Sequence, residues 1–370
     1  MSLKPFLAGR RPWRSGSLPA RLLRGLLRVA LVLALLHALV WRWAVGELET
    51  QFEAWAAQRR SEGWMVAYDP PERGGWPFAA TLFLPWTRLG GAEDLVPGGV
   101  EWQAEGVRLR LSPLQPRRLT LELLGWQRVF GEGFDLHAAA DRFTAELPLA
   151  AGDSLLELPL AARRLRLRSP AGLVEAERLG LHLDLPPSGA AGEAGARLGL
   201  TVSGLQLPPD LGPATEALGR MVQALHLDLA LSGPLPMAGT MAARAAAWRE
   251  AGGRLEAHDL ALRWGPLAAQ GSARLGLDRA LQPMGEAALQ VTGADALLRA
   301  AAGAGLLTQQ AALAVLALIG LLGRRPAEGG PPVLDLPLAL EGRVLSAARL
   351  RLGVLPEWRW PGQAAPARRN

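Results

Sequence analysis

The chain has 370 residues, enough for one long domain or two short ones, and no cysteine, so a disulfide framework and a thiolate zinc site are both excluded. Its formal charge of +6 suggests a nucleic-acid partner until the charge is located. Lys4, Arg10, Arg11, Arg14, Arg21, Arg24 and Arg28 all lie in residues 1–28 with no acid among them; without those seven the remainder stands at −1, and one tyrosine and seven phenylalanines make no base-stacking platform.

From Leu22 to Val45 the chain is mostly apolar, with an uninterrupted core from Val29 to Trp41 between Arg28 and Arg42. A bilayer span needs about 20 apolar residues, and arginines at the ends of a shorter core can snorkel. Trp41 and Trp43 stand where an interfacial aromatic belt would. All the positive charge precedes the segment, which predicts a cytoplasmic N-terminus and a body across the membrane. The segment reads as an uncleaved, single-pass inner-membrane anchor. Ala44-Val45-Gly46 keeps a cleaved signal peptide open as the rival. Arg10-Arg11 lies too far from the core for twin-arginine export. The boundaries drawn are a basic cytoplasmic tail at 1–28, a transmembrane anchor at 29–46, a periplasmic β domain at 47–360 and a disordered tail at 361–370.

Residues 47–62 have helical spacing. Leu48, Phe52, Trp55 and Ala56 share one face, and Gly63 stops the run. Then W-M-V-A-Y, the turn D-P-P-E-R-G-G and W-P-F-A-A-T-L-F-L make a hairpin-like connection. Beyond it, apolar residues alternate with polar ones: Val107, Leu109 and Leu111, then Leu119, Leu121 and Leu123, and more loosely 134–147. Leu165 and Leu167, Leu179 to Leu185, Leu198 to Leu207 and Leu225 to Leu231 continue the pattern. Leucine is no strong β-former, but a period of two marks a strand with one dry face. A helix is predicted over 213–223, and Ser188–Ala196 reads as a Gly/Ala-rich loop.

The stretch from Trp248 to Val291 shows the repeated unit most clearly. Leu260, Leu262 and Trp264 precede the turn Gly265-Pro266, and Leu267, Ala269, Gly271, Ala273, Leu275 and Leu277 follow it at every second position. Residues 294–323 break the pattern. They read as two helices packed on the sheet's apolar face; a second membrane span ending at Arg324-Arg325 is the rival, and it would strand the last strands at 334–340 and 344–354. The fold class is mainly β: an N-terminal transmembrane helix followed by a large, curved antiparallel sheet with a few packed helices.

The two copies of L-H-L-D-L, at Leu181–Leu185 and Leu225–Leu229, are the most tempting chemistry. His182, Asp184, His226 and Asp228 could meet across paired strands and hold a metal, but alternation with leucine fits a solvated outer face better. His258-Asp259 falls where the alternation slips and marks a bulge. His37 lies inside the anchor as a tolerated polar residue. No nucleophile elbow, zinc-protease helix, Walker loop or dinucleotide fingerprint follows a strand. No catalytic residue, metal or cofactor is assigned, and an enzyme is not expected.

The leucine faces carry the positive hypothesis, because a dry face must be covered. The cover is either ordinary core or lipid: a bent sheet with an incompletely filled groove can hold acyl chains. Trp76, Phe78, Leu260, Leu262 and Trp264 are the candidate lipid-binding wall residues.

Several segments together resemble the DUF2125 family of uncharacterised envelope proteins. They are the anchor with its following helix, E-G-W-M-V-A-Y…G-G-W-P-F at 62–78, A-W-R-E-A-G-G-R-L-E at 247–256, R-W-G-P-L at 263–267, L-D-R-A-L-Q-P-M-G at 277–285, and L-P-L-A-L-E-G-R-V…L-G-V-L-P at 336–356. Trp76 stands where the resemblance leads one to expect Phe. The family is similar to the AsmA-like group of inner-membrane-anchored periplasmic β proteins with lipid-binding grooves. That resemblance implies lipid binding or transfer in envelope maintenance, by analogy of fold alone. A non-enzymatic scaffold that assists envelope protein assembly is the alternative.

Overall fold

A 44-residue helix, α1 (Leu18–Ser61), opens the chain in the computed structural model. The structure describes residues 18–91, 99–131, 134–149, 156–170, 172–185, 194–209, 213–234, 239–293, 332–347 and 350–360, together with Asp295, Leu298, Ala302 and Arg324. The anchor and the amphipathic stretch after it are one unbroken helix. Gly46, the residue at the drawn boundary, costs a helix interior only about 1 kcal/mol, too little to break it. The first half of α1 is long and apolar enough to cross a membrane, and its side chains from Leu22 to Val40 are almost all exposed. The second half packs against the sheet through Val45, Leu48 and Ala56, all buried, and the half-buried Phe52. Trp55 is exposed and stacks on Phe52. Gly63, at φ 90°, turns the chain off the helix end.

Among the described residues, seventeen strands form one antiparallel sheet. The first are β1 (Met65–Ala67), β2 (Glu72–Gly74), β3 (Ala80–Gly91), β4 (Val100–Ser112), β5 (Gln115–Gly131), β6 (Phe134–Ala139), β7 (Arg142–Pro148) and β8 (Leu156–Ser169). Then come β9 (Gly172–Leu185), β10 (Ala194–Gln206), helix α2 (Pro213–Leu218), β11 (Met221–Ser232), helix α3 (Met241–Glu250), β12 (Arg254–Trp264) and β13 (Leu267–Leu277). The last are β14 (Pro283–Thr292), β15 (Val333–Glu341), β16 (Val344–Ala347) and β17 (Leu350–Val354). Both β1 and β2 pair with one edge of β3. β6 and β7 share one strand position between β5 and β8. Everything else is a meander in which each strand pairs with the next.

The register turns the leucine alternation into rows that cross the whole sheet. One row begins at Leu82 and runs through Leu109, Leu121, Ala145, Leu160 and Leu181. It continues through Leu200, Leu227, Leu260, Gly271, Leu289 and Leu336. A second row, two residues along, begins at Leu84 and ends at Leu334. Side chains two apart on a strand share a face, so one apolar face extends from β3 to β15. The register slips at Ala257/Leu260, where His258 and Asp259 together oppose the single residue Ser272; the bulge adds one residue to β12, and the row survives because the apolar alternation shifts with it, from Leu255 and Ala257 to Leu260 and Leu262.

The helices differ more from the sequence reading. α2 ends at Leu218, because the apolar alternation of β11 takes over from Met221. α3 went unforeseen, since M-A-A-R-A-A-A-W-R-E has no strong apolar period; alanine propensity and the Thr240 cap, which accepts from the Ala243 amide, are what define it. Of the segment 294–323, only Asp295, Leu298 and Ala302 are described, all helical, so its two predicted helices lie outside the described residues. So do the core of the Gly/Ala-rich loop, 186–193, and the tail 361–370.

Candidate functional site: an apolar trough

Coverage of the leucine face changes along the rows. Under α1, Leu82 and Leu84 are 0% and 1% exposed, packed with Leu48, Ala104, Val107 and Leu109. Beyond β7 the leucines of the Leu82 row are only half-buried: Leu160, Leu181, Leu200, Leu227, Leu260, Leu289 and Leu336 all keep part of their side chains accessible, whereas the Leu84 row is buried at Ala162, Val202, Val291 and Leu334. The centre of a filled sheet core would be dry at these positions. Among the described residues the face is therefore an apolar trough, closed at the α1 end and open along the middle strands.

Two clamps finish its flanks. On one flank Leu218 of α2 joins Leu267, Val291 and Leu334 in a buried cluster, with Leu262 and Trp264 packed against it. The Trp264 indole donates to the Gly219 carbonyl at 2.7 Å, and the Gly265 amide donates to Gln223 Oε1 at 2.9 Å. On the other flank α3 folds over the sheet, and the Trp248 indole donates to the Ser232 carbonyl at 2.8 Å. Gly253 is required there, since a Cβ would stand 2.2 Å from the Trp248 ring. Asp278 Oδ1 accepts from the Ala280 and Gln282 amides, both at 2.8 Å, which sets the turn after β13. Gln282 then holds the chain end. It accepts from the Trp358 amide at 2.8 Å and donates to the Trp358 carbonyl at 3.1 Å.

Between α3 and this C-terminal segment lies a cavity of about 670 Å3. Leu231, Leu255, Leu275 and Leu277 form its floor, Trp248 and Met241 one wall, and Trp358 and Trp360 the other. Its size and lining are those of a site for an apolar ligand. Sequence reasoning missed Trp248, Gln282 and Trp358 as its framework. The signal was present in the Trp-Arg-Glu, Trp-Gly-Pro and Leu-Gln-Pro segments, which prove to be the clamps. Gln282 is buried, so Gln282→Ala strands two backbone groups of Trp358. We expect amide exchange of residues 355–360 to rise at least about tenfold, as loss of about 1.5 kcal/mol implies, with the protection of β9 to β14 unchanged.

The five wall residues do not come together. Leu260 and Leu262 lie in the two rows on β12, and Trp264 ends that strand. Trp76 and Phe78 sit on the turn before β3, beside α1, with β4 to β11 in between. The two L-H-L-D-L copies do not pair with each other either, because β10 runs between them. His226 Nε2 is 3.6 Å from Asp259 on the outer face. Among the described residues, no group of three or more His, Asp or Glu is placed to hold a metal. The outer face carries the charge instead. Arg128 makes a two-pronged hydrogen bond to Asp135 at 2.9 and 2.8 Å, which holds that carboxyl below the usual carboxylate range and raises the guanidinium.

A membrane-length helix laid on the first strands of one long sheet, whose apolar face runs on half-buried along its middle strands, defines a helix-led, single-sheet β protein with a trough. Within that class the chain belongs to the DUF2125 family, described as an uncharacterized protein conserved in bacteria, whose family model matches residues 41–356. The match takes in the packed half of α1 and every strand. No curated protein and no solved structure matches the chain.

Proposed function

We propose that this is a single-pass inner-membrane protein whose body lies on the periplasmic side. It holds acyl chains in the trough and binds or transfers lipid for envelope maintenance, without covalent chemistry. One observation carries the reading: the leucine row that is dry at Leu82 beneath α1 continues half-exposed over eight strand positions, from Leu160 on β8 to Leu336 on β15. Exposed apolar area of that extent marks an interaction surface, and each methylene laid on it contributes about 0.8 kcal/mol. A trough that starts at a membrane-length helix has lipid as its nearest apolar material. The basic residues before α1 favour a cytoplasmic N-terminus, which puts the body across the membrane. The resemblance to AsmA-like proteins argues the same way by analogy of fold.

The competing occupant is the chain's own apolar segment at 305–322. Mass spectrometry of lipid extracted from the full chain, purified in mild detergent beside a variant lacking 305–322, separates the two. The reading expects bound phospholipid in both preparations. A full chain free of lipid, with lipid only in the deletion variant, assigns the trough to the chain itself and overturns the reading. So does lipid in neither.

A further inference from the structure

The turn before β3 presents two large side chains to the outside, Trp76 at 57% and Phe78 at 80% exposure. It is nevertheless firmly held. The His37 Nε2 stands 2.7 Å from the Pro77 carbonyl, and because a carbonyl only accepts, the imidazole donates. The Trp41 indole donates to the Ala79 carbonyl at 2.9 Å. The amides of Phe78 and Ala79 both donate to the Gly75 carbonyl. Gly75 has φ 90°, and a Cβ there would meet the Ala79 oxygen at 2.5 Å, so this tight turn needs glycine. Further up the helix, Arg73 pairs with Glu49. The β2–β3 hairpin thus descends α1 from Glu49 to His37, about 18 Å at 1.5 Å per residue.

The helix itself marks where along this descent water gives way to hydrocarbon. Glu47 and Glu49 stand above, and Trp41, Arg42 and Trp43 have the chemistry of a bilayer interface. From Val40 back to Val29 every residue but His37 is apolar. Pro77 is level with His37, which places the turn about 7 Å past Arg42 on the apolar side. That is the depth at which interfacial segments bury an apolar face. The arrangement also supplies the acceptor that an imidazole needs in hydrocarbon. The next connection reaches the same end of the sheet. Leu111 pairs with Ala80, and Leu114, three residues on, is 92% exposed.

The geometry points to a second membrane contact: the Gly75–Ala79 turn, with Leu114 beside it, is embedded in the headgroup–acyl boundary of the leaflet nearest the body. The contact rests on the membrane-anchored reading above but not on lipid occupying the trough. A helix alone leaves the body free to rotate about it. Helix and wedge together fix the starting end of the trough against one leaflet.

The absence of cysteine makes the test direct, since single-cysteine variants of the full chain need no background removed. Val32→Cys, Phe78→Cys, Leu114→Cys and Leu173→Cys, each carrying an NBD fluorophore, are reconstituted in phosphatidylcholine–phosphatidylglycerol vesicles. Nitroxide lipids labelled near the headgroup or at mid-chain serve as quenchers. Leu173 is exposed and begins β9, at the opposite end of the strands. Position 32 is expected to be quenched most by the mid-chain label. Positions 78 and 114 are expected to be quenched most by the shallow label, about twofold more than position 173. Quenching at 32 with 78 and 114 no more quenched than 173 overturns the second contact and leaves the anchor standing. No quenching at 32 overturns the anchor and this contact with it.

Discussion

Replacing Leu260 and Leu289 together by glutamate is expected to strip the protein of bound lipid while leaving its sheet intact. The two side chains lie in the same row, on β12 and β14, separated only by Gly271, which offers no side chain of its own. Both are half-buried, so water already reaches them, and a carboxylate there can stay hydrated in an empty trough. The same carboxylates facing an acyl chain would be desolvated without a partner, which costs at least several kcal/mol per charge. Copurifying phospholipid should fall more than about a hundredfold, since 1.4 kcal/mol is a factor of ten. The far-ultraviolet circular dichroism of the folded state should not change. A pair of charges in an ordinary core would instead prevent folding. A double variant that unfolds identifies the face as core, and a folded double variant that keeps its lipid moves the ligand elsewhere.

The strands were legible because each carries its own evidence. Leu179, Leu181 and Leu183 alternate with Gly180 and His182, and nothing but a pleated strand with one dry face explains that period. The bulge at His258-Asp259 was legible for the same reason, as a local slip in the parity. Which strands neighbour which is not written locally. Trp76 and Trp264 look alike as aromatic wall residues in the sequence, yet eight ladders of sheet stand between β3 and β12. His37 reads as a tolerated polar residue because its partner, the Pro77 carbonyl, is 40 positions away. α3 was hidden by its alanines, which favour a helix without an apolar stripe to announce it. Gln282 and Trp358 lie 76 positions apart, so the pattern could mark each segment as unusual without showing that one holds the other.

Leu82→Ala and Leu200→Ala remove the same atoms from the same row, and their costs are expected to differ severalfold. Leu82 is fully buried between α1 and β4, where truncation leaves a cavity that the helix, held by Leu48 and Phe52, cannot collapse. A cost of about 3–5 kcal/mol follows from transfer and cavity terms together. Leu200 is half-buried in the open part of the trough, so its truncation makes no closed cavity and loses only the contacts on one side. About 1 kcal/mol is expected there. Urea midpoints of the full chain in detergent, compared at equal slope, measure both. If Leu200→Ala costs as much as Leu82→Ala, the row is dry from end to end and the trough is a filled core. If the difference holds, the chain spends leucines on a surface that contributes little to its own stability, and α1 and α2 are the described helices that convert parts of that surface into core, at Leu82 and Leu84 and at Leu267, Val291 and Leu334. That inequality is itself an argument for an external occupant: apolar area left unused in folding remains available to a ligand, and that area lies along the leucine row between the strands that α1 buries and the cluster that α2 closes at Val291 and Leu334.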